Sequence, residues 1–143
     1  MAEYQQHGIR FQYPDDWELA DGHDGEARTI TVSSAETSFW CVSLFDETQS
    51  MESVVQAALA AFEEEYDDVD AYPAESKDAS TELSDYTIAW DVEFLCLELT
   101  NTARIRATEA GGRTVLVLYQ GTDHELEQTL PALQEITDSL ILS

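Results

Sequence analysis

Apolar and polar residues alternate from Tyr86 to Cys96, and this alternation constrains the fold of the chain more than any other feature. Every second residue in the segment is apolar or aromatic, and acidic or polar residues occupy most positions between them. A period of two is that of a β-strand with one buried face. Two more strand-like segments, Thr102–Glu109 and Arg113–Gln120, follow around a hairpin turn at 110–112. The second half of the chain is therefore expected to form antiparallel sheet.

The burial pattern changes along these strands. Beyond Phe94 the opposite face also becomes apolar, through Leu95, Leu97 and Leu99. A β-bulge, or a passage of the strand from the sheet edge to its buried centre, explains that change. The segment 115–119 is apolar on both faces, so its strand is expected at the centre of the sheet.

The first 45 residues predict three strands. Ile9–Tyr13 alternates and is closed by a turn at Pro14. The segment Asp21–Glu26 contains two Asp-Gly pairs, which accept positive φ at little cost, and is expected to be a loop. It leads into the strand Arg28–Ser33, and a third strand follows at Ser38–Phe45.

Residues 50–66 show the clearest helical pattern. Apolar residues recur there at spacings of three and four, and Ser50 is a suitable N-cap. Acidic residues crowd the C-terminal end, where the helix dipole favours cations, so we expect this end to fray. Residues 71–83 are expected to be a loop with at most a short edge strand, because Pro73 cannot lie in a central strand.

The last segment predicts a second amphipathic helix. Residues 122–125 form a capping-box pattern, and leucines recur at helical spacing from Leu126 to Leu140. Pro131 leaves two alternatives, a helix kinked at the proline or a helix that begins there. Together the elements predict one α+β domain over residues 1–143, with an antiparallel meander sheet, an amphipathic helix after strand 3 and a C-terminal helix.

This order of elements resembles the PsbP-like fold. The resemblance is carried by the motif F-x-Y-P-x-x-W, formed by Phe11, Tyr13, Pro14 and Trp17, and by a closing helix that ends in 136–140. The superfamily includes a photosystem accessory subunit, a Ran-GTPase release factor, bacterial proteins of the DcrB type and cytosolic chaperones of type VI secretion effectors. Because its members are mostly non-enzymatic, the resemblance implies a binding or assembly role and brings no catalytic residue.

The charge of the chain excludes several partners. Thirty acidic residues stand against six basic ones, for a formal net charge of -24, which disfavours nucleic acids and anionic membranes. One acidic cluster is a candidate surface for a basic protein partner, and salt adaptation is the alternative explanation of the acidity. The cluster consists of Glu63, Glu64, Glu65, Asp67, Asp68 and Asp70.

The sequence predicts neither catalytic residues nor a metal or cofactor site. The three histidines are far apart, and Cys41 and Cys96 lack the spacing of a metal site, as do the acids of the loop at 21–26. There is no nucleophile elbow and no glycine-rich phosphate loop. Each cysteine lies in an apolar run, so buried free thiols are expected, with one disulfide between neighbouring strands as the alternative.

Half of the basic residues lie within ten positions, at Arg104, Arg106 and Arg113. One hypothesis is an anion clamp, because guanidinium groups bind carboxylate or phosphate in a bidentate manner. Such a clamp would serve a small ligand in a pocket between the sheet and the helix at 50–66. The other hypothesis is cross-strand ion pairs with Asp91 or Glu93. Replacing Arg104 and Arg106 by Gln leaves the melting temperature nearly unchanged under the first and lowers it under the second.

The leading functional prediction is a non-catalytic protein-interaction module, such as a chaperone or adaptor, and the alternative is a domain that binds a small anionic ligand. The chaperone form predicts a dimer and an exposed apolar sheet face. The N-terminal residues lack the basic and apolar regions of a secretory signal, so a cytoplasmic location is expected.

Overall fold

Ten strands and two helices make up the part of the chain that the computed structural model describes, residues 1–24, 27–46, 49–74 and 88–142. The strands are β1 (Ala2–Gln6), β2 (Ile9–Tyr13), β3 (Glu18–Asp24), β4 (Ala27–Ser33), β5 (Phe39–Phe45), β6 (Asp67–Pro73), β7 (Ile88–Cys96), β8 (Leu99–Ala110), β9 (Arg113–Thr122) and β10 (Ile141–Leu142). The helices are α1 (Met51–Glu65) and α2 (Asp123–Ser139). Parts of the predicted loops at 21–26 and 71–83, and the start of the strand at Tyr86, lie outside the described residues.

The strands form two antiparallel sheets where one was predicted. The larger sheet has the order β3-β4-β5-β9-β8-β7-β6, and the smaller one has the order β1-β2-β10. The helix α1 follows five strands instead of the predicted three, because the sequence pattern did not predict β1 and β3. Tyr4 is the one buried residue of β1, and the sequence of this strand has no run of alternating apolar residues.

The loop predicted from Asp21 is wrong as far as Asp24. This segment is part of β3, with Gly22 opposite Thr29 of β4. Asp21 accepts hydrogen bonds from the Tyr4 hydroxyl at 2.8 Å and from the Arg28 guanidinium at 3.0 Å. These contacts hold an acidic, glycine-containing segment in a strand, so tertiary structure overrides its preference for a turn.

The two helices pack on opposite faces of the larger sheet. α2 buries Leu133 and Ile136 in a cluster that contains Trp40 of β5 and Phe11 of the smaller sheet. α1 buries its apolar side in a second cluster with strands β7 and β8. Strand β9 lies between β5 and β8 and contributes alternate residues to the two clusters, so the prediction that 115–119 is central is confirmed.

The chain forms a tight hairpin turn beyond Phe94, so the predicted bulge or buried centre is wrong there. Cys96 pairs with Leu99, and the two residues between them, Leu97 and Glu98, have φ of 53° and 66°. Two positive φ values in a two-residue loop indicate a type I′ turn. Leu97 is consequently 90% exposed. The register shift in this half of the sheet lies instead in β6, between Asp67 and Asp70.

The predicted start of α1 is confirmed, because the Ser50 hydroxyl accepts a hydrogen bond from the Ser53 amide at 3.1 Å. The helix ends at Glu65 and the chain enters β6, the edge strand of the sheet. An edge position accommodates Pro73, as the sequence predicted.

The start of α2 departs from the predicted capping box. Thr122 is the N-cap and accepts a hydrogen bond from the Glu125 amide at 3.3 Å. The carboxylate of Glu125 points to the turn between β4 and β5, where it accepts hydrogen bonds from the Thr37 amide at 2.9 Å and the Ser34 hydroxyl at 3.0 Å. The helix continues through Pro131, so the alternative in which it begins at the proline is wrong.

Both cysteines are free and half-buried. Cys41 on β5 and Cys96 on β7 are separated by β9 and β8. Three strand spacings amount to roughly 14 Å, which is beyond the reach of a disulfide. Burial raises the pKa of the Cys41 thiol to about 12, so this thiol stays protonated at neutral pH.

We predict opposite responses to alanine at two strand glycines. A Cβ on Gly121 would lie 2.6 Å from the Ser38 hydroxyl oxygen and 3.2 Å from Leu126, so Gly121→Ala is expected to cost about 1 kcal/mol of unfolding free energy. A Cβ on Gly22 would meet only the Thr29 carbonyl oxygen, at 3.9 Å, so Gly22→Ala is the matched control, neutral or slightly stabilising. Urea denaturation measures both, and equal midpoints would contradict the packing of α2 on Gly121.

Candidate functional site

A row of charged and aromatic residues crosses the larger sheet from its edge strand β6 to β9. Tyr72 of β6 pairs with Asp91 of β7, Asp91 pairs with Arg104 of β8, and Arg104 pairs with Tyr119 of β9. Because partners in an antiparallel ladder share a face, the four side chains lie side by side on the α2 face. Desolvation and a hydrogen bond to the nearby Glu93 raise the pKa of Tyr72, whereas Arg104 opposes that rise.

Arg106 belongs to the core of this face and forms an ion pair. Its guanidinium donates to an Asp91 carboxylate oxygen at 3.2 Å and to the carbonyl oxygens of Trp90 and Ile105 at 3.2 and 3.0 Å. The side chain of Arg106 is 9% exposed and that of Asp91 is 23% exposed. The ion-pair interpretation is therefore confirmed for Arg106.

Arg104 lies in a different setting, on the wall of a groove of about 280 Å³ between strands β8 and β9 and the helix α2. We call this the α2 groove, and its lining residues are Thr102, Arg104, Tyr119, Asp123, Leu126, Glu127 and Leu130. Thr102 donates a hydrogen bond to Asp123 at 2.6 Å across the groove wall. The sequence predicted a pocket with Arg104 against the helix at 50–66, whereas this groove lies against the other helix.

Arg113 does not join the other two arginines. It begins β9 beside the 110–113 hairpin and donates to the His7 carbonyl oxygen at 2.6 Å. Six residues separate it along β9 from Tyr119, the partner of Arg104, which corresponds to roughly 20 Å. The predicted three-arginine cluster is thus divided into a buried ion pair, a groove residue and a hairpin contact.

The acidic cluster of the sequence lies where α1 ends and β6 begins, and we call it the acidic patch. Its residues end α1 and begin β6, and each is exposed. None of the six forms an ion pair with a basic residue in the described part of the chain. They are Glu63, Glu64, Glu65, Asp67, Asp68 and Asp70.

The hairpin tip at Leu97 and Glu98 adjoins the acidic patch. Asp67 pairs with Leu95, two residues before Leu97, so the tip lies within about 7 Å of the patch along the strand. Leu97 and Leu99 are 90% and 55% exposed. The site therefore combines exposed apolar side chains with a rim of carboxylates.

Sequence reasoning missed most of the α2 groove and the hairpin tip. The groove face of α2 does carry a signal, because Asp123, Leu126, Glu127 and Leu130 recur at helical spacing. The sequence signal for the hairpin tip is weaker, because Leu97-Glu98 lacks the Asn-Gly or Asp-Gly composition that marks a type I′ turn.

Two further features of the described residues bear on function. They contain no group of three or more His, Cys, Asp or Glu side chains arranged to hold a metal ion. No helix in residues 1–24, 27–46, 49–74 and 88–142 is long and apolar enough to cross a bilayer.

Comparison with known proteins identifies the fold. No protein-family model matches the chain, and no curated protein sequence matches it. The solution structure of cyanobacterial PsbP (CyanoP) from Synechocystis sp. PCC 6803 aligns with a TM-score of 0.60 and 13% identity, over 99% of this chain and 92% of that one.

Two other solved structures share this architecture. LpqN of Mycobacterium tuberculosis, which is involved in cell envelope biogenesis, aligns with a TM-score of 0.50 and 13% identity over 94% of this chain and 83% of its own. PA94 of Pseudomonas aeruginosa, a protein of unknown function, aligns with a TM-score of 0.51 and 15% identity over 100% of this chain and 97% of that one. The chain therefore has the PsbP-like fold that its sequence predicted, an α+β architecture of antiparallel sheets and two helices.

Proposed function

We propose that this protein is a non-catalytic binding domain that engages another protein through the acidic patch and the adjoining hairpin tip. The observation that carries the proposal is the placement of Leu97, 90% exposed, beside six exposed acids that have no basic partner in the described part of the chain. Protein interfaces often centre on an apolar anchor with a polar rim. The surface fits a partner with an apolar pocket flanked by Lys or Arg. A cytoplasmic location stays a prediction.

The backbone of the tip supports this proposal. A leucine with positive φ costs on the order of 1 kcal/mol, and Asn or Gly would fill the two turn positions better. Such local costs concentrate at functional sites. The turn therefore presents Leu97 at the expense of stability, which agrees with a role in binding.

The chaperone form of the proposal has less support. The large apolar side chains that are exposed within the described residues are scattered, and only two of them adjoin each other along the chain at the tip. They are Met1, Tyr72, Leu97, Leu99 and Ile141. A broad apolar sheet face for unfolded or effector chains is not among these surfaces, so we favour a compact docking site.

The tip can be tested by the double substitution Leu97→Asn and Glu98→Gly. Because Asn-Gly suits a type I′ turn, we expect the variant to unfold at higher urea concentration, with a gain of about 1 kcal/mol. We also expect it to lose at least tenfold in affinity for proteins that the wild type captures from an extract of its source organism. Unchanged capture by this more stable variant would contradict the proposal.

The acidic patch requires a charge-matched comparison in the same capture assay. Glu64→Gln, Asp67→Asn and Asp70→Asn together neutralise three patch acids, and Glu36→Gln, Glu109→Gln and Glu135→Gln neutralise three exposed acids elsewhere. Partners lost with the first variant and retained with the second, with affinity that falls as salt rises, support the patch. Equal loss with both variants would indicate that only net charge matters.

A second candidate function is small-ligand binding in the α2 groove. The observation in its favour is that Arg104, one of the predicted clamp residues, lies on the wall of a cavity of about 280 Å³. Guanidinium groups at such positions bind carboxylates in a bidentate manner. A shift of groove resonances on titration with a carboxylate would support this function.

A further inference from the structure

We propose that β3, an edge strand of the larger sheet, binds an extended basic segment of another protein as an added antiparallel strand. In strand addition, main-chain hydrogen bonds give affinity, and the side chains that alternate along the added strand give specificity. The site lies at the edge opposite β6. The inference therefore goes beyond the proposed function at the acidic patch and the hairpin tip and does not depend on it.

The outer side of β3 presents a regular row of backbone groups. The Ser34 amide donates to the Ser38 carbonyl oxygen of the next strand at 2.9 Å, and this bond fixes the alternation of hydrogen bonds along β4. Alternate residues of β4, beginning at Ser33, therefore turn their backbone groups to β3, where their partners are the even-numbered residues. No strand of the described residues pairs with the other side of β3. The outward amide and carbonyl groups belong to Leu19, Asp21 and His23.

The opposite edge strand, β6, is protected against strand addition in ways that β3 is not. A register shift interrupts β6, and Asp68 within it has φ of 50°. Ala74 donates to the Ala89 carbonyl oxygen at 2.9 Å, so Pro73, one residue earlier, faces outward and offers no N–H there. Bulges and prolines are features that block edge strands. In contrast, β3 keeps one register with β4 over its 7 residues and contains no proline.

Gly22 on β3 is a second indication that another chain approaches this edge. A glycine inside a strand lowers its stability and often marks a site where a ligand or another backbone comes close. Within the described residues no contact requires this glycine, because a Cβ would meet only the Thr29 carbonyl oxygen, at 3.9 Å, and its φ is not positive. Gly22 and Ala20 are exposed on one face of the strand. An aromatic residue opposite Gly22 would pack over it and stabilise the pair.

Charge favours a basic partner over a second copy of this chain. Pairing of two copies along β3 would join two chains that each carry a formal net charge of -24, and this repulsion disfavours self-association. Glu18 shares a face with Gly22, is exposed, and has no ion pair with a basic residue in the described part of the chain. A Lys or Arg opposite Glu18 would form a cross-strand ion pair. The added strand therefore carries an aromatic residue opposite Gly22 and a cation opposite Glu18.

The test uses the capped peptide Thr-Tyr-Lys-Val-Val-Arg, whose antiparallel register places its tyrosine opposite Gly22 and its arginine opposite Glu18. It is titrated into isotopically labelled protein and followed by amide NMR and hydrogen exchange. At saturation we expect exchange of the three outward amides of β3 to slow roughly tenfold, because each gains a hydrogen bond. The even-numbered amides, already bonded to β4, should change little. An even slowing along β3, or no slowing at millimolar peptide, would overturn the inference.

Two N-methylated peptides are matched controls that leave the protein unchanged. The lysine of the peptide lies opposite Asp21 and directs its N–H to β3, so N-methylation of this lysine should weaken binding roughly tenfold. The valine after it directs its N–H away from β3, so N-methylation there should have little effect. Equal affinities of the two modified peptides would contradict strand addition, because the backbone of the peptide would then have no fixed register.

Two protein variants test the charge term and the choice of partner. Glu18→Gln should weaken the peptide about threefold, whereas Glu36→Gln, an exposed acid between β4 and β5, should not. Equal weakening by both variants would show that net charge alone attracts the peptide. Sedimentation of the protein without peptide should show no dimer, and a dimer with its outward β3 amides already protected would make a second copy the occupant. None of these failures touches the proposed function, which lies at the other edge.

Discussion

Replacing Arg106 by Gln should lower the free energy of unfolding by about 2–3 kcal/mol, because it removes the buried guanidinium that forms an ion pair with Asp91 at 3.2 Å. Removing one member of a buried ion pair costs roughly 3–5 kcal/mol, and the 23% exposure of the Asp91 side chain reduces that cost. The substitution also deprives the Trp90 and Ile105 carbonyl oxygens of a donor. Urea denaturation at neutral pH measures the loss.

Two companion variants make this result specific. Adding Asp91→Asn to Arg106→Gln removes the carboxylate that has lost this ion pair and should recover part of the lost stability. Arg104 lies on the same strand face but lines the groove, so Arg104→Gln should lower the free energy of unfolding by less than Arg106→Gln does. If Arg106→Gln unfolds at the same urea concentration as the wild type, the ion pair contributes nothing and the clamp hypothesis for both arginines returns.

Replacing Glu125 by Ala should cost about 2 kcal/mol, because its carboxylate joins α2 to the turn between β4 and β5. Glu125 is 8% exposed. Its carboxylate accepts hydrogen bonds from the Thr37 amide and hydroxyl and from the Ser34 hydroxyl. Hydrogen bonds to a charged group contribute roughly 1.5–3 kcal/mol each, and the exposure of Thr37 lets water replace part of them. Thermal and urea unfolding measure the loss.

The same contact predicts a pH dependence. Burial opposes ionisation of Glu125, but hydrogen bonds from Thr37, Ser38 and Ser34 outweigh it and hold the pKa of its carboxyl below the usual range. A carboxyl with a lowered folded pKa stabilises the protein above its unfolded pKa, about 4.3 for Glu, and loses that contribution as the pH falls through the folded value.

Glu125→Gln isolates this effect. The difference in stability between wild type and Glu125→Gln should be constant from pH 7 to about pH 5 and should shrink as the pH falls below about 4. Asp21, whose pKa is lowered by its hydrogen bond from Tyr4, contributes in the same direction in both proteins, so it cancels in the difference. A difference that grows in acid would show that Glu125 is not stabilised as a carboxylate.

Strong periodicity made much of the fold predictable. The alternation of β7 and the apolar stripes of α1 and α2 follow from one-sided burial, the apolar run of β9 follows from burial on both faces, and the structure confirms them. The 110–113 hairpin was also predicted, because Gly111 and Gly112 supply the two positive φ values of its turn. Where local pattern and tertiary burial agree, sequence is sufficient.

The elements that escaped prediction depend on distant contacts. β1 is a strand because it pairs with β2 and buries Tyr4 against Phe11, with ring centroids 5.1 Å apart. Glu125 leaves its predicted capping role because the turn at Thr37 offers more donors. Likewise, the different positions of Arg104, which lines the groove, and Arg106, which is buried in an ion pair, depend on tertiary packing that the sequence pattern does not reveal.

The acidic patch could act in two ways that experiments must separate, by binding a partner and by preventing edge-to-edge pairing between copies of the chain. Charges on an edge strand discourage pairing between copies of the chain, and β6 is such an edge. Neutralising Asp67 and Asp70 therefore requires a check of association by sedimentation alongside the capture assay. Loss of a partner from a variant that stays in the wild-type association state assigns that loss to the surface itself.

Amide hydrogen exchange with and without a captured partner tests the central claim most directly. If the acidic patch and the hairpin tip form the docking surface, added partner should slow exchange across residues 63–73 and 95–99 and leave β3 and β4 unchanged. Protection confined to the opposite edge of the sheet, with the tip exchanging at its free rate, would contradict the claim.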